Sequence, residues 1–181
     1  MTKVNVFLAE GFEEVEALTV VDYLRRADIV VDMVSITGSL EVKGAHNITV
    51  TADTTFENAD KDVDMLVLPG GMPGTLYLKE HEGLKELLVK YNNENKNIAA
   101  ICAAPTVFGS HGLLRDKEAV CYPGMEDGLN CKNVPDKKVV TDGNVTTSKG
   151  PGTAVLFALE LIKILKGVEV EDKIRKSIVL D

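Results

Sequence analysis

The chain has 181 residues, of which 45% are hydrophobic and 27% are charged, and its formal net charge is −8. This length and composition are those of an ordinary globular protein, so we expect a single domain spanning residues 1–181. The negative charge and the lack of a Lys/Arg run argue against binding to nucleic acid or to anionic membrane surfaces, and we expect neither as a partner.

The N-terminus and the cysteines indicate the compartment. The first apolar segment, residues 4–9, is too short for a signal peptide or a spanning helix, which predicts a cytoplasmic protein. The three cysteines, Cys102, Cys121 and Cys131, have no C-x-x-C spacing, and the three histidines are scattered. We therefore expect no disulfide framework and no metal site.

The hydrophobic pattern predicts strands that alternate with helices. Apolar and β-branched runs predict strands at residues 4–9, 29–36, 63–68, 98–101, 119–122 and 139–147, with a turn at 142–144. Segments with helical spacing predict helices at residues 13–26, 76–94, 103–108, 153–166 and 168–176, and residues 40–51 resemble a hairpin. This alternation indicates an α/β fold with a mostly parallel sheet and helices on both faces.

Cys102 lies at a predicted junction between a strand and a helix. Residues 98–101 form an unbroken apolar run, typical of a strand buried on both faces, and Pro105 suits the first turn of a helix. Free N–H groups and the helix dipole at such a junction favour a thiolate. The pattern is that of a nucleophile elbow, with Cys in place of Ser and Ala103 in place of Gly. A buried core cysteine is the alternative.

Two further segments follow the carboxyl ends of predicted strands. Glu13 and Glu16 both lie near apolar positions of the first helix, and their spacing does not choose between them; the alternative is that they are solvated acids that complement the helix dipole. Residues 69–74, Pro-Gly-Gly-Met-Pro-Gly, predict either a loop whose N–H groups bind an oxyanion or a flexible turn. Ligands of such sheets bind at the carboxyl ends of strands, where these segments and Cys102 could meet.

Four motifs together resemble the ThiJ/PfpI (DJ-one) superfamily, most closely its DJ-one and bacterial ThiJ-like branch. They are Gly-Phe-Glu-Glu-Val-Glu at 11–16, Val-Leu-Pro-Gly-Gly at 67–71, Ala-Ala-Ile-Cys-Ala-Ala-Pro at 99–105, and Thr-Ser-Lys-Gly-Pro-Gly-Thr at 147–153. The motifs occur in the right order over nearly the whole chain. The resemblance implies a flavodoxin-like sandwich, a homodimer, and a reactive elbow cysteine that needs no cofactor.

The resemblance also implies roles for individual residues. Cys102 matches the reactive cysteine, and Glu16 rather than Glu13 matches the acid that hydrogen-bonds its sulfur. The backbone N–H groups of Gly71 and Ala103 match the oxyanion donors. We expect a carboxyl group that faces a thiolate to be protonated, because two negative charges in contact repel one another strongly.

The chain departs from the family pattern at four positions. Ala103 stands where the proteases of the superfamily have a histidine, and Tyr122 stands where the deglycase branch commonly has one. A phenol is a poor base near neutral pH, so we expect no Cys-His pair and no peptidase activity. His46 replaces an arginine near the pocket and the dimer contact, and Lys149 replaces an arginine while keeping its charge.

Two functional classes use the same residues. In a glyoxalase or deglycase, Cys102 attacks a small reactive aldehyde and Glu16 moves a proton between the substrate carbons. In a redox-responsive stress protein or chaperone, Cys102 oxidises to a sulfinate that Glu16 holds. Some relatives are labelled thiamine (thiazole phosphate) biosynthesis proteins, but the sequence has neither a phosphate loop nor a basic pocket to support that activity.

Overall fold

The structure is a computed structural model that describes residues 1–180. Its strands are β1 (Lys3–Leu8), β2 (Val30–Ser35), β3 (Glu41–Lys43), β4 (Thr49–Thr51), β5 (Thr54–Thr55), β6 (Met65–Leu68), β7 (Asn97–Ile101), β8 (Val139–Asp142) and β9 (Val145–Ser148). Its α-helices are α1 (Glu14–Arg26), α2 (Gly74–Glu80), α3 (Glu82–Asn93), α4 (Pro105–Ser110), α5 (Ala154–Lys166) and α6 (Val168–Ser177). Among these residues, no helix is both long and apolar enough to cross a bilayer.

Seven strands form one sheet in the order β5-β2-β1-β6-β7-β9-β8. Its strands pair in parallel, except that β8 runs antiparallel to β9. The predicted hairpin is also present, since β3 and β4 pair antiparallel outside the main sheet. The sheet confirms the predicted α/β class. Because β1, β6 and β7 are parallel neighbours, the loops that follow them lie side by side at one edge.

Hydrophobic clusters cover both faces of the sheet. The first, on the α1 and α5 side, takes Val6 and Leu8 of β1, whereas the second, on the α3 and α4 side, takes Phe7 of the same strand. Strand β6 is buried along its whole length and β7 along all but its first residue. Burial on both faces explains why these two strands appear in the sequence as unbroken apolar runs.

The strand predicted at residues 119–122 is absent, and this prediction is wrong. The segment is buried at Val120, but that residue's N–H donates to the Thr147 hydroxyl at 3.0 Å, and the Tyr122 N–H donates to the Cys102 carbonyl at 2.8 Å. Strand β9 is already paired on both sides, with β7 and with β8, so it offers no free edge. An apolar run without a ladder to join remains an irregular buried segment.

The helix predicted at residues 76–94 is divided at His81. The imidazole Nδ1 accepts the Leu84 N–H at 3.0 Å and thereby caps α3, while α2 ends at the preceding residue. A side chain that satisfies one of the free N–H groups of a helix start stabilises a new helix at that point. The apolar spacing of Leu84, Leu87 and Leu88 belongs to α3 alone.

Candidate active site

Cys102 occupies the sharp turn between β7 and α4. Its backbone φ is +66°, a conformation that residues other than glycine rarely adopt. The Cys102 N–H donates to the Ser148 carbonyl at 3.0 Å, and its carbonyl accepts the Tyr122 N–H at 2.8 Å. Pro105 opens α4, as the sequence predicts. The structure therefore contains the strand, turn and helix of a nucleophile elbow, held from both sides.

Glu16 is fully buried on α1, with 0% of its surface exposed. Its Oε2 accepts the Gly70 N–H at 2.8 Å, and its Oε1 has no hydrogen-bond partner within residues 1–180. A solvated acid at a helix start would be exposed, so that alternative fails for Glu16. Glu13 lies at the N-cap of α1, and its backbone N–H donates to the Gly70 carbonyl at 2.8 Å.

Gly70 lets Glu16 and Cys102 approach one another. A Cβ atom on Gly70 would stand 2.6 Å from the Cys102 Cβ and 2.8 Å from the Glu16 Oε2, which no side chain tolerates. The next residue, Gly71, has a φ of +96°, and a Cβ there would lie 2.4 Å from the Glu13 nitrogen. Close packing therefore requires glycine at both positions, and at Gly71 the backbone conformation requires it as well.

The Glu16 carboxyl and the Cys102 thiol influence each other's ionisation. Burial raises the pKa of Glu16 to about 7. Burial, followed by the negative charge of Glu16, raises the pKa of Cys102 to about 12, whereas hydrogen bonds from the N–H groups of Ala103 and Gly71 act in the opposite direction. Burial of the sulfur therefore opposes the helix dipole and the free N–H groups, which favour a thiolate. A thiolate becomes accessible when Glu16 holds the proton, because the repulsion between the two charges is then absent.

His46, predicted as a pocket residue, contacts Glu14 rather than Glu16. Glu14 is only 4% exposed; its Oε1 accepts the His46 N–H at 2.7 Å, and its Oε2 lies 2.9 Å from the His46 Nδ1. The hydrogen bond to Glu14 raises the pKa of His46. These contacts fasten the β3–β4 hairpin to the start of α1. Sequence reasoning did not select Glu14, because nothing in the pattern indicates that the hairpin covers that side of the helix.

Glu13, together with Glu14 and His46, forms a potential metal-ligand group. Ligand atoms of Glu13, Glu14 and His46 all lie within 4.8 Å of one another. The Nδ1 of His46 and the Oε2 of Glu14 are already joined by the hydrogen bond described above. The charge pairing between imidazole and carboxylate accounts for this group without an ion.

The positions of Tyr122 and of the three histidines show which side chain could accept a proton from the Cys102 sulfur. The Tyr122 ring is 49% exposed and packs beside Gly150, where a Cβ would stand 3.3 Å from the ring. In the described part of the chain, no imidazole hydrogen-bonds the Cys102 sulfur: His46 bonds Glu14, and His81 caps α3. His111 follows the last turn of α4, as a helix-end residue. Glu16 is therefore the titratable side chain that faces the sulfur.

Comparison with known proteins identifies the family. The model of the DJ-1/PfpI family matches residues 2–164. The chain belongs to the DJ-1/PfpI family. It is 39% identical over 178 residues to protein dj-1beta of Drosophila melanogaster, covering 97% of this chain and 95% of that protein. It is 34% identical over 168 residues to a deglycase of Pyrococcus abyssi, covering 91% of this chain and 99% of that protein.

A solved structure extends the comparison to the fold. Oxidised Toxoplasma gondii DJ-1 superposes with a TM-score of 0.96 at 34% identity, covering 99% of each chain. Together with the family match, this confirms the resemblance inferred from the four sequence motifs and the flavodoxin-like α/β fold.

The raised pKa of Glu16 predicts an unusual dependence of stability on pH. The Glu16 pKa is about 7 in the folded protein and 4.5 for an ordinary glutamate, so the folded protein binds this proton more tightly than the unfolded chain. The free energy of unfolding of the wild type should therefore fall as pH rises through this window, by about 3 kcal/mol. Glu16→Gln cannot titrate at this position. Its free energy of unfolding relative to the wild type should therefore increase by that amount between pH 4.5 and pH 8, as measured by urea unfolding at the two pH values.

A matched variant separates the carboxyl from the thiol. Cys102→Ala keeps the buried Glu16 and should retain the fall in stability between pH 4.5 and pH 8. If the difference between Glu16→Gln and the wild type is the same at both pH values, Glu16 titrates like an exposed acid and the assignment is wrong.

Proposed function

We propose that the chain is a cofactor-independent, cysteine-dependent enzyme that acts on small reactive aldehydes or their adducts, as a glyoxalase or deglycase. The observation that carries the proposal is the buried Glu16 carboxyl beside the Cys102 elbow, with a pKa of about 7. A carboxyl group of this pKa both accepts and donates a proton near neutral pH. The name of the Pyrococcus abyssi relative, a deglycase, supports the same class of reaction.

The proposed reaction starts with attack by sulfur. The Cys102 thiol gives its proton to the Glu16 carboxylate, and the thiolate forms a C–S bond with the aldehyde carbon. The carbonyl oxygen becomes negatively charged and then takes that proton, which gives a hemithioacetal. The N–H groups of Gly71 and Ala103, which act to lower the pKa of the Cys102 thiol, would stabilise this oxygen.

For a 2-oxoaldehyde substrate, the remaining steps rearrange the hemithioacetal and release the product. The Glu16 carboxylate removes the proton from the carbon bonded to sulfur and returns it to the neighbouring carbon. The hydroxyl proton on the first carbon passes to the carbonyl oxygen of the neighbouring carbon, so that the hemithioacetal becomes a thioester that carries a 2-hydroxyl group. Water then hydrolyses the thioester. The products are a 2-hydroxy acid and the free Cys102 thiol, so one water is consumed per substrate and no redox cofactor is needed.

Methylglyoxal turnover tests this proposal directly. We expect Cys102→Ser to lose detectable turnover, because a hydroxyl is a far weaker nucleophile than a thiolate. We expect Glu16→Gln to lose about 10²–10⁴-fold in kcat, because the amide cannot carry the proton. Formation of the 2-hydroxy acid should be followed by chromatography.

The control for this assay is Cys131→Ser, which removes a half-buried thiol outside the elbow motif and should leave turnover unchanged. Turnover that persists in Cys102→Ser, or that is equal in Glu16→Gln and the wild type, would refute the assigned roles.

A redox response is the second candidate, because a closely similar structure is an oxidised form of DJ-1. Two molecules of hydrogen peroxide would each transfer one oxygen atom to the Cys102 sulfur and leave as water, which gives a sulfinate. The unpartnered Oε1 of a protonated Glu16 could then donate a hydrogen bond to a sulfinate oxygen. The same N–H groups of Gly71 and Ala103 would hold the second oxygen.

Two substitutions of Glu16 distinguish the candidates. Glu16→Gln keeps a hydrogen-bond donor, so we expect peroxide to convert its Cys102 to sulfinate while turnover is lost. Glu16→Leu has neither proton nor donor, and we expect it to lose both. Peptide mass spectrometry after limited peroxide treatment measures the added oxygen atoms. Equal sulfinate yields in Glu16→Leu and the wild type would exclude Glu16 from stabilising the oxidised sulfur.

We also propose that the chain forms a homodimer through the exposed face of α1. Val15 and Leu18 are 52% and 36% exposed on successive turns of this helix, and Ile48 is 53% exposed on the adjoining hairpin. The Ile48 N–H donates to Glu14, which places the hairpin beside the helix. Exposed apolar side chains gathered on one face are typical of an association surface.

Val15→Asp tests this face. A buried, unpaired charge at the contact should convert a dimer into a monomer. Sedimentation velocity should report the change, and Val134→Asp, at an exposed valine outside the proposed face, should leave the assembly intact. A wild type that is monomeric, or a Val15→Asp variant that stays dimeric, would contradict the proposal.

A further inference from the structure

A cavity of about 370 Å³ lies at the same sheet edge as Cys102 but on the opposite face of the sheet. Ala9 and Ile36, which follow β1 and β2, line it and pack in the hydrophobic cluster on the α3 and α4 side. Cys102 packs against the cluster on the other side. The cavity is therefore separate from the candidate active site, and the proposed reaction does not use it.

The cavity combines an apolar floor with two carboxylates. Ala9 is fully buried, and Ile36 is partly buried, whereas Glu10 and Glu80 are exposed beside them. Neither carboxylate forms a salt bridge with any Lys, Arg or His of residues 1–180. Glu10 accepts only a long hydrogen bond, from the Lys43 backbone N–H at 3.3 Å. Two negative charges without a protein cation therefore flank the apolar floor.

Thr37, Tyr77 and His81 also line the cavity and add no positive charge. The Nδ1 of His81 accepts the Leu84 N–H, so the neutral ring carries its proton on Nε2. The ring is also fixed against Phe56, with the two centroids 4.5 Å apart. Tyr77 is 46% exposed and presents an aromatic ring, on which a cation can rest. The cavity thus combines carboxylate acceptors with an aromatic surface.

We propose that this cavity binds a small organic cation, namely a primary amine attached to an apolar body. The ammonium group would lie between Glu10 and Glu80, where its charge would be compensated, and the apolar body would cover Ala9 and Ile36. The volume is within the range of small-molecule sites. An anionic ligand is disfavoured by both carboxylates and by the net charge of −8.

Titration with 2-phenylethylamine tests the proposal, and 2-phenylethanol serves as its neutral counterpart. ¹H–¹⁵N NMR monitors the titration. We expect saturable binding of the amine, with the largest chemical-shift changes at the backbone amides of Ala9 and Ile36. The alcohol should bind about tenfold or more weakly, because it lacks the charge that the carboxylates attract. The double variant Glu10→Gln/Glu80→Gln should weaken amine binding by a similar factor and leave alcohol binding unchanged.

The matched control is Glu86→Gln/Glu169→Gln, which removes two exposed charges that do not line this cavity and should bind the amine like the wild type. Cys102→Ser should also bind the amine normally, so this result is independent of the proposed catalytic function. Equal affinities for amine and alcohol, equal losses in the two double variants, or shifts centred away from the cavity would each overturn the proposal.

Discussion

The site depends on one close approach, in which the buried Glu16 carboxyl and the Cys102 elbow meet across Gly70. Burying a carboxyl group in an apolar core is costly, and here one hydrogen bond from the Gly70 N–H offsets only part of that cost. The protein keeps the proton on the group instead, which is why its pKa rises to about 7. Any side chain at Gly70 would separate the acid from the sulfur and remove this coupling.

The order of strands in the sheet brings Glu16, the glycine loop and Cys102 together. Strands β1, β6 and β7 are neighbours, and they lead to the helix that carries Glu16, to the glycine loop, and to Cys102. The elbow is strained. The Cys102 N–H donates to a carbonyl of β9, and the Cys102 carbonyl accepts the N–H of Tyr122 in the irregular segment, so both sides hold the elbow in place. That segment therefore supports the site although it belongs to no strand. Rigid elements thus fix the geometry of all the reacting groups.

The enzyme and redox proposals draw on the same physical property. A carboxyl group that is neutral near pH 7 can donate a hydrogen bond to a negatively charged oxygen, and it can also exchange its proton with a substrate. The first ability suffices to hold a sulfinate, whereas the second is needed to rearrange a hemithioacetal. Glutamine retains the first ability and lacks the second, so one substitution at Glu16 separates two functions that otherwise share every residue.

Local periodicity and backbone chemistry were enough to predict the α/β class, the hairpin, the strand-to-helix turn at Cys102 and a loop at the glycines of residues 69–74. Periodicity did not choose between Glu13 and Glu16; the family resemblance selected Glu16, and the structure then showed it buried beside the sulfur. The folded chain was needed to reveal the role of Glu14, the absence of a strand at 119–122 and the cavity lined by Ala9 and Ile36. The reason is that each depends on which distant segment lies opposite, and packing between segments is not encoded in the spacing of neighbouring residues.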